Sequence, residues 1–269
     1  MCITSEPWLV SLHTNTIKSP GKMEFPIRVG EAELVGAAGP TPREIKYLSN
    51  IDDQMSLRHH LPFVHFFGPN HSTTRDPSGL IKLALSRTLV YYYPLSGRLR
   101  ISSSDEGKLV VDCCDEGVMF READADISLE KLMRVEGGLK PPFPQWESLL
   151  VDDVWGNDLI VGSPLLRIQN FSESHGLASL VYDNLKVTRL SCGGFVLAYT
   201  LNHCACDTNG ALQFMKTIAE FCCDDPQRKT PSTLPSWGRE ILKPRSPPII
   251  SFRHPEYNNL DDETPGNSV

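Results

Sequence analysis

The apolar run Phe195-Val196-Leu197-Ala198-Tyr199-Thr200-Leu201 is followed by Asn202-His203-Cys204-Ala205-Cys206-Asp207-Thr208-Asn209-Gly210 and by an apolar-periodic segment from Ala211 to Cys222. The run favours a buried β-strand, and the later periodicity predicts a helix. The junction between them therefore carries the motif His-x-x-x-Asp-x-x-Gly. A histidine at the end of a buried strand is held rigidly, while its imidazole can move a proton near neutral pH. We predict that His203 is a general base.

Each position of this motif also has a structural interpretation. A strand-end histidine often only satisfies a backbone group, which is the alternative for His203. Asp207 suggests a His-Asp pair, but in so tight a junction its carboxylate is expected to point away from His203. Asp207, Thr208 or Asn209 would instead cap the helix, which is worth about 1 kcal/mol. Gly210 either permits close approach of the backbone to a substrate channel or is a tolerated helix-start residue.

The composition excludes several classes of protein. The chain has 269 residues, of which 40% are hydrophobic and 22% charged, enough for one large or two modest domains. A net charge of −7 and scattered Lys and Arg argue against a nucleic-acid footprint. No apolar run approaches the roughly 20 residues of a membrane span, and the N-terminus lacks the apolar core of a signal peptide. We therefore expect no membrane association and a cytoplasmic location.

The eight cysteines do not form the spaced framework of a small disulfide-rich domain. Two adjacent pairs, Cys113-Cys114 and Cys222-Cys223, favour reduced thiols instead. His203 with Cys204 and Cys206 suggests zinc, but Cys-x-Cys without a matching second pair lacks the spacing of structural zinc sites. We predict that the chain has no metal site.

Hydrophobic patterning predicts the other elements. Strands are expected at 25–29, up to 67, at 99–101, 109–113, 118–123, 165–169 and 187–190, with a helix at 77–92 and a tight turn at Gly193-Gly194. Thr41-Pro42-Arg43-Glu44 has a helix-start pattern, so a short helix or turn should follow it. Irregular alternation of strands and helices predicts an α/β (α+β) fold, a mixed β-sheet with packed helices.

Three segments lie outside this pattern. Residues 1–24 are low in pattern and are expected to be a disordered extension of the domain at 25–223. Residues 170–186 form an unpatterned polar segment within that domain. The Pro- and Ser-rich stretch 224–269 has only a brief helical pattern from Trp237 to Leu242, so we expect a linker.

Four groups of residues occur along the chain in an order that is characteristic of a known protein family. They are Pro42-Arg43-Glu44 to Ile51-Asp52-Asp53-Gln54, Tyr92-Tyr93-Pro94-Leu95-Ser96-Gly97-Arg98-Leu99, Glu116-Gly117-Val118-Met119-Phe120 with Glu122-Ala123-Asp124-Ala125, and Leu201-Asn202-His203 to Asp207 and Gly210. Over residues 25–260 this order resembles the N-terminal half of plant BAHD (HXXXD-type) acyl-CoA-dependent acyltransferases. Pro141-Pro142-Phe143-Pro144 and His254-Pro255-Glu256-Tyr257 are most similar to the clade of benzyl alcohol O-benzoyltransferases.

The resemblance implies a chloramphenicol acetyltransferase-like domain and an enzyme without a cofactor. Its partners would be acyl-CoA, as co-substrate, and a small alcohol that accepts an aromatic or short branched acyl group. His203 would take the proton from the acceptor hydroxyl or amine as it attacks the thioester. Cys204 and Cys206 occupy positions where the family accepts small residues, although a nucleophilic cysteine with His203 as its base is a competing hypothesis. Intact members of the family are usually monomers.

The sequence also departs from the family. Members pair the Asp207 position with an arginine, for which Arg167 and Arg189 are unproven substitutes, and an unpaired buried aspartate would be costly. No Asp-Phe-Gly-Trp-Gly motif is present, so we expect a chain truncated before a second domain that supplies most of the CoA site. The residues that bind CoA are therefore not predicted. A second hypothesis is thus an inactive single domain with an interaction role. Residues 170–186 separate two pieces that the family joins directly, which suggests a retained intron that interrupts a strand.

Overall fold

A computed structural model describes residues 8–11, 24–71, 75–103, 107–134, 139, 145–150, 185–223, 228–242, 247 and 252. Nine strands follow one another along this part of the chain: β1 (Trp8–Ser11), β2 (Ile27–Val35), β3 (Ile45–Tyr47), β4 (His60–Phe67), β5 (Arg98–Ile101), β6 (Leu109–Asp112), β7 (Val118–Ala125), β8 (Leu185–Leu190) and β9 (Phe195–Asn202). The described helices are α1 (Pro77–Leu89), α2 (Leu129–Met133), α3 (Trp146–Leu149) and α4 (Thr208–Cys222), with short 3₁₀ helices at Met55–Leu57, Tyr93–Ser96 and Arg239–Leu242.

The strands form two sheets. The larger has six strands in the order β1-β4-β9-β8-β7-β2, and the smaller has the order β3-β6-β5. Strands β7 and β8 are parallel, whereas every other neighbouring pair in these sheets is antiparallel. The predicted mixed sheet with packed helices is therefore confirmed.

Strand β9 lies in the interior of the larger sheet, and all eight of its residues are buried. Its side chains alternate between two apolar clusters, as the two-residue period of a strand requires. Leu197 and Tyr199 face the cluster that α1 and α4 complete, whereas Val196 and Ala198 face the cluster that contains Phe25. The end of β9 is therefore a rigid point from which His203 projects.

Helices α1 and α4 begin in the same way. Asp76 accepts a hydrogen bond from the Gly79 N–H at 3.1 Å, and Asp207 accepts one from the Gly210 N–H at 2.8 Å. Both aspartates have extended backbone and are the N-cap residues of their helices. The two helices pack against each other on one face of the larger sheet.

Several predicted elements are confirmed, and their local chemistry explains why. The β8–β9 hairpin turns through Gly193, whose φ of +82° favours glycine. A Cβ on Gly194 would lie 2.5 Å from the Phe67 carbonyl oxygen, so this position also requires glycine. Helix α1, helix α4, the β5–β6 hairpin and strand β7 all occupy their predicted positions.

One prediction is wrong, and a second does not hold for part of its range. The residues after Thr41-Pro42 form strand β3 rather than a helix or turn. Ile45–Tyr47 pair with β6, and the backbone carbonyl of Glu44 accepts the Cys113 N–H at 3.0 Å. Residues 1–24 are predicted to be a disordered extension, but Trp8–Ser11 within them pair with β4 as an edge strand, whereas 1–7 and 12–23 lie outside the described residues. Backbone pairing supplied by distant residues outweighs the local signal in both cases.

The other expected segments are only partly described. Leu185 and Lys186, which belong to the polar segment 170–186, are the first residues of β8, whereas 170–184 and the strand predicted at 165–169 lie outside the described residues. Within the stretch 224–269, the 3₁₀ helix at Arg239–Leu242 agrees with the brief helical pattern. Among the described helices, none is long and apolar enough to cross a membrane.

Candidate active site

The site begins where strands β4 and β9 end together. Their antiparallel ladder runs from Phe67 opposite Phe195 to His60 opposite Asn202. One residue further, the His203 N–H donates to the His59 carbonyl at 2.8 Å. The His59 and His203 rings then meet edge to face, with centroids 5.4 Å apart and an interplanar angle of 84°. Strand register thus places His59 against the predicted base.

The His203 ring is partly enclosed by protein. Nδ1 is buried and has no hydrogen-bond partner among the described residues. The residue as a whole is half-buried. A proton acceptor needs such a half-open position, because the rest of the ring must be held by protein.

His59 is an uncharged neighbour at neutral pH. Burial lowers the pKa of His59, and the nearby His203 lowers it further, although the Ser56 backbone carbonyl opposes both effects. Protonation of His59 would place a positive charge directly beside the His203 ring. The lowered pKa of His59 therefore favours an aromatic contact in which His59 is uncharged.

The tight turn that carries His203 is built around Asn202. The Asn202 carbonyl accepts the N–H groups of Ala205 at 3.0 Å and Cys206 at 3.2 Å. The Asn202 Oδ1 accepts the Cys204 N–H at 3.0 Å. A buried asparagine thus supplies the acceptors that reverse the chain between β9 and α4.

Asp207 caps α4 and is exposed. No ion pair to Asp207 occurs within the described part of the chain. Arg189, one suggested partner, binds Asp76 at 2.7 Å and also pairs with Glu122, and Arg167 lies outside the described residues. The expected cost of a buried, unpaired aspartate does not arise, because solvent and the helix N-terminus both stabilise the charge.

Position 210 must be glycine because the Cys206 sulfur occupies the space that a Cβ would need. A Cβ at this position would lie 2.7 Å from Cys206 Sγ and 3.3 Å from Asp207 Oδ1. The Cys206 thiol donates to the Asp207 carbonyl at 3.2 Å and fills the space that a larger residue would need. Gly210 therefore serves the packing of the turn.

The cysteines beside His203 are not set up as nucleophiles. Burial raises the pKa of Cys204 and of Cys206 to about 12, which leaves both as thiols at neutral pH. The described cysteines are all free. No group of three or more His, Cys, Asp or Glu side chains suited to a metal ion occurs among the described residues.

Arg239 also contacts the site, and no pattern in the sequence predicts this contact. The Arg239 guanidinium donates to the carbonyls of Cys204 at 3.1 Å and Ala205 at 2.6 Å. It also forms an ion pair with Asp52 at 3.4 Å. Position 239 follows the domain by more than a dozen residues, so only tertiary structure reveals that it reaches the His203 turn.

The mixed sheet with its two packed helices is a chloramphenicol acetyltransferase-like domain. The crystal structure of vinorine synthase has the same fold, with a TM-score of 0.58 and 21% identity over 79% of this chain and 46% of that one. The sequence profile of the Transferase family matches residues 25–268. The chain therefore belongs to this family, the BAHD acyltransferases.

Similar plant proteins act on different acyl groups. A 13-hydroxylupanine O-tigloyltransferase from Lupinus albus is 47% identical over 234 residues, which cover 87% of this chain and 46% of that protein. A benzyl alcohol O-benzoyltransferase from Petunia hybrida is 43% identical over 246 residues, which cover 91% of this chain and 48% of that protein. The chain spans about half the length of the curated relatives that it matches.

Proposed function

We propose that this chain supplies the base for transfer of an acyl group from acyl-CoA to the hydroxyl of a small alcohol, with His203 as that base. The observation that carries the proposal is the position of His203. Its ring stands at the end of the buried central strand, with Nδ1 enclosed by protein and the residue as a whole half-buried. Membership of the acyltransferase family supports the same reaction.

The reaction needs one base and no covalent enzyme intermediate. His203 Nε2 accepts the proton of the acceptor hydroxyl as the alcohol oxygen forms a bond to the thioester carbonyl carbon. The carbonyl oxygen carries the negative charge of the tetrahedral intermediate, which collapses when the carbon–sulfur bond breaks. CoA leaves as a thiolate and takes the proton from His203, so the base is restored. The buried thiols of Cys204 and Cys206 support direct transfer over a ping-pong route.

The names of the relatives suggest the acyl group. One is a tigloyltransferase and another a benzoyltransferase, so we propose a short branched or an aromatic acyl donor. The acceptor is proposed to be a small alcohol, since the benzoyltransferase relative is named for benzyl alcohol.

The test measures benzyl benzoate formed from benzoyl-CoA and benzyl alcohol by the whole chain and by two variants. His203→Ala should lower the rate about 10²–10⁴-fold, which is the contribution of a positioned general base. His71→Ala is the matched control, because His71 is exposed and lies after β4 at the opposite end from the site. Retained turnover in His203→Ala would contradict the proposed base.

Failure of the folded wild type to turn over would favour the second candidate, a domain with an interaction role. Exposed apolar side chains next to the site in sequence support that candidate. Met55 is 77% exposed four residues before His59, and Ile241 is 83% exposed two residues after Arg239. Where such side chains form one contiguous patch, they mark a surface that contacts a partner.

A further inference from the structure

The segment 228–242 is fixed to the domain rather than free of it. Arg87 donates to the Arg228 carbonyl at 2.6 Å, and Gln213 donates to the Leu234 carbonyl at 3.2 Å. The Trp237 indole N–H donates to the Tyr91 carbonyl at 3.2 Å, and its ring lies against Tyr92 with centroids 6.2 Å apart. These contacts join the 228–242 segment to both α1 and α4, and they bring its last residues to the site.

Arg239 is the residue of this segment that reaches the His203 turn. Its two terminal nitrogens donate separately to the Cys204 and Ala205 carbonyls, which follow His203 directly. The planar guanidinium holds its two terminal nitrogens in a fixed fork, so each of the two adjacent carbonyls has its own donor. The turn is thus held from outside by Arg239 as well as from inside by Asn202.

The same guanidinium also binds the chain that leads to His59. Arg239 Nη1 lies 3.4 Å from Asp52 Oδ2, and the Ser49 hydroxyl donates to that oxygen at 2.7 Å. The next residue, Asp53, pairs with Arg58 at 2.8 Å, immediately before His59. One cation therefore connects the two stretches of backbone that carry the paired imidazoles.

We propose that Arg239 is a positioning residue for His203, which it fixes by joining the 203–206 turn to the Asp52 turn. This inference rests on the proposed role of His203 as the base. Arg239 contacts no reacting atom; it acts through the backbone of the residues that follow His203. Docking of the 228–242 segment is consequently coupled to the geometry of the site.

The experiment measures amide hydrogen exchange by NMR in the whole chain, where the Ala205 and Cys206 amides report opening of the turn. Arg239→Gln should accelerate their exchange about tenfold, because it removes charge-assisted hydrogen bonds. Arg239→Lys should restore part of the protection. The amides of Thr200 and Leu201, inside β9, should remain as slow as in the wild type.

Arg228→Gln is the matched control, since Arg228 lies in the same segment and pairs with Glu220 rather than with the His203 turn. Should Arg239→Gln fail to fold, Asp52→Asn tests the same bridge from the other side, with an expected acceleration of about threefold. Unchanged exchange at Ala205 and Cys206, or equal acceleration in Arg228→Gln, would overturn the proposal.

An activity measurement separates this inference from the proposed function. In the benzoyl-transfer assay, Arg239→Gln should lower kcat about tenfold while KM stays within about twofold, and Arg239→Lys should recover part of kcat. If His203→Ala retains turnover, the proposed base is wrong, but accelerated exchange in Arg239→Gln still shows that Arg239 holds the turn. If His203→Ala is inactive and Arg239→Gln is unchanged in exchange and kcat, only the positioning role is wrong.

Discussion

His203 donates its backbone N–H to the His59 carbonyl, and the rings of the two histidines meet edge to face, so they are joined through both backbone and side chain. The backbone bond extends the β4–β9 ladder by one residue. The ring contact limits rotation of the His203 imidazole without placing a second charge beside it. His59 therefore belongs to the site as a neighbour that orients the ring.

Substitutions of His59 distinguish the effect of its ring contact from the effect of its ring nitrogens. His59→Phe keeps an aromatic ring against His203, so kcat for benzoyl transfer at pH 7 should stay within about twofold of the wild type. His59→Ala removes a contact worth about 0.5–1.5 kcal/mol, so kcat should fall about two- to tenfold. Equal losses in both variants would show that a ring nitrogen of His59 is needed.

His65 makes stability depend on pH. It is 1% exposed, bonds the Tyr199 hydroxyl through Nε2 at 3.1 Å, and burial lowers its pKa from 6.5 to about 4. The unfolded chain therefore binds the proton more readily, and the free energy of unfolding should fall by about 3 kcal/mol as the pH drops from 6.5 to 4. Urea unfolding across this range measures the slope.

The matched variant for this prediction is His65→Phe, which keeps a ring in the stack with Tyr199 and Phe67. It should be less stable at pH 7, because the Tyr199 hydroxyl loses its partner. Its pH slope should nevertheless be shallower than that of the wild type. The same slope in both proteins would assign the pH dependence to other groups.

Gly210→Ala should destabilise the chain by about 1–3 kcal/mol, because its new methyl group collides with the Cys206 sulfur. In a Cys206→Ala background the collision is absent, and the same substitution should be neutral or stabilising by up to about 1 kcal/mol from helix propensity. Gly79→Ala is the control, since Gly79 holds the equivalent position of α1 and its nearest foreign atom is 3.8 Å away. Chemical denaturation of these variants measures the change of sign.

Asp207 should behave as a cap and not as one half of an ion pair. Asp207→Ala should cost about 1 kcal/mol in the free energy of unfolding, and Asp207→Asn only a few tenths, because asparagine also caps helices. Asp76 provides a comparison, since it caps α1 but also binds Arg189. Asp76→Asn should therefore cost more than Asp207→Asn. Equal costs for Asn and Ala at position 207 would favour an essential charge.

Most of the fold follows from local patterns. Alternating and continuous apolar runs predict β4 and β7–β9. Helical periodicity predicts α1 and α4, the second with a cap at Asp207, Thr208 or Asn209. Local patterns do not predict strand β3, because Thr41-Pro42 is an equally good start for a helix. Only the pairing of Ile45–Tyr47 with β6 decides the outcome, and that pairing joins residues more than sixty positions apart.

The site was predictable only in part. His203 follows a buried strand and stands out locally, whereas the significance of His59 depends on the register of two strands separated by more than a hundred residues. Arg239 lies in a Pro- and Ser-rich stretch whose composition suggests a linker, and nothing in that composition indicates which carbonyls it meets. Periodicity identifies elements and their faces, but contacts between distant turns arise from the assembled core.

The β4–β9 ladder has eight rungs, and the imidazole pair stands immediately beyond the last of them. A slip of one residue would move Phe63 and Tyr199 to the wrong face of the sheet, and the core forbids it. The packing of the whole apolar interior therefore fixes the β4–β9 register, and with it the distance between the two rings. A substitution in that interior at a remote position such as Phe67 should therefore lower the rate of acyl transfer even where the protein remains folded.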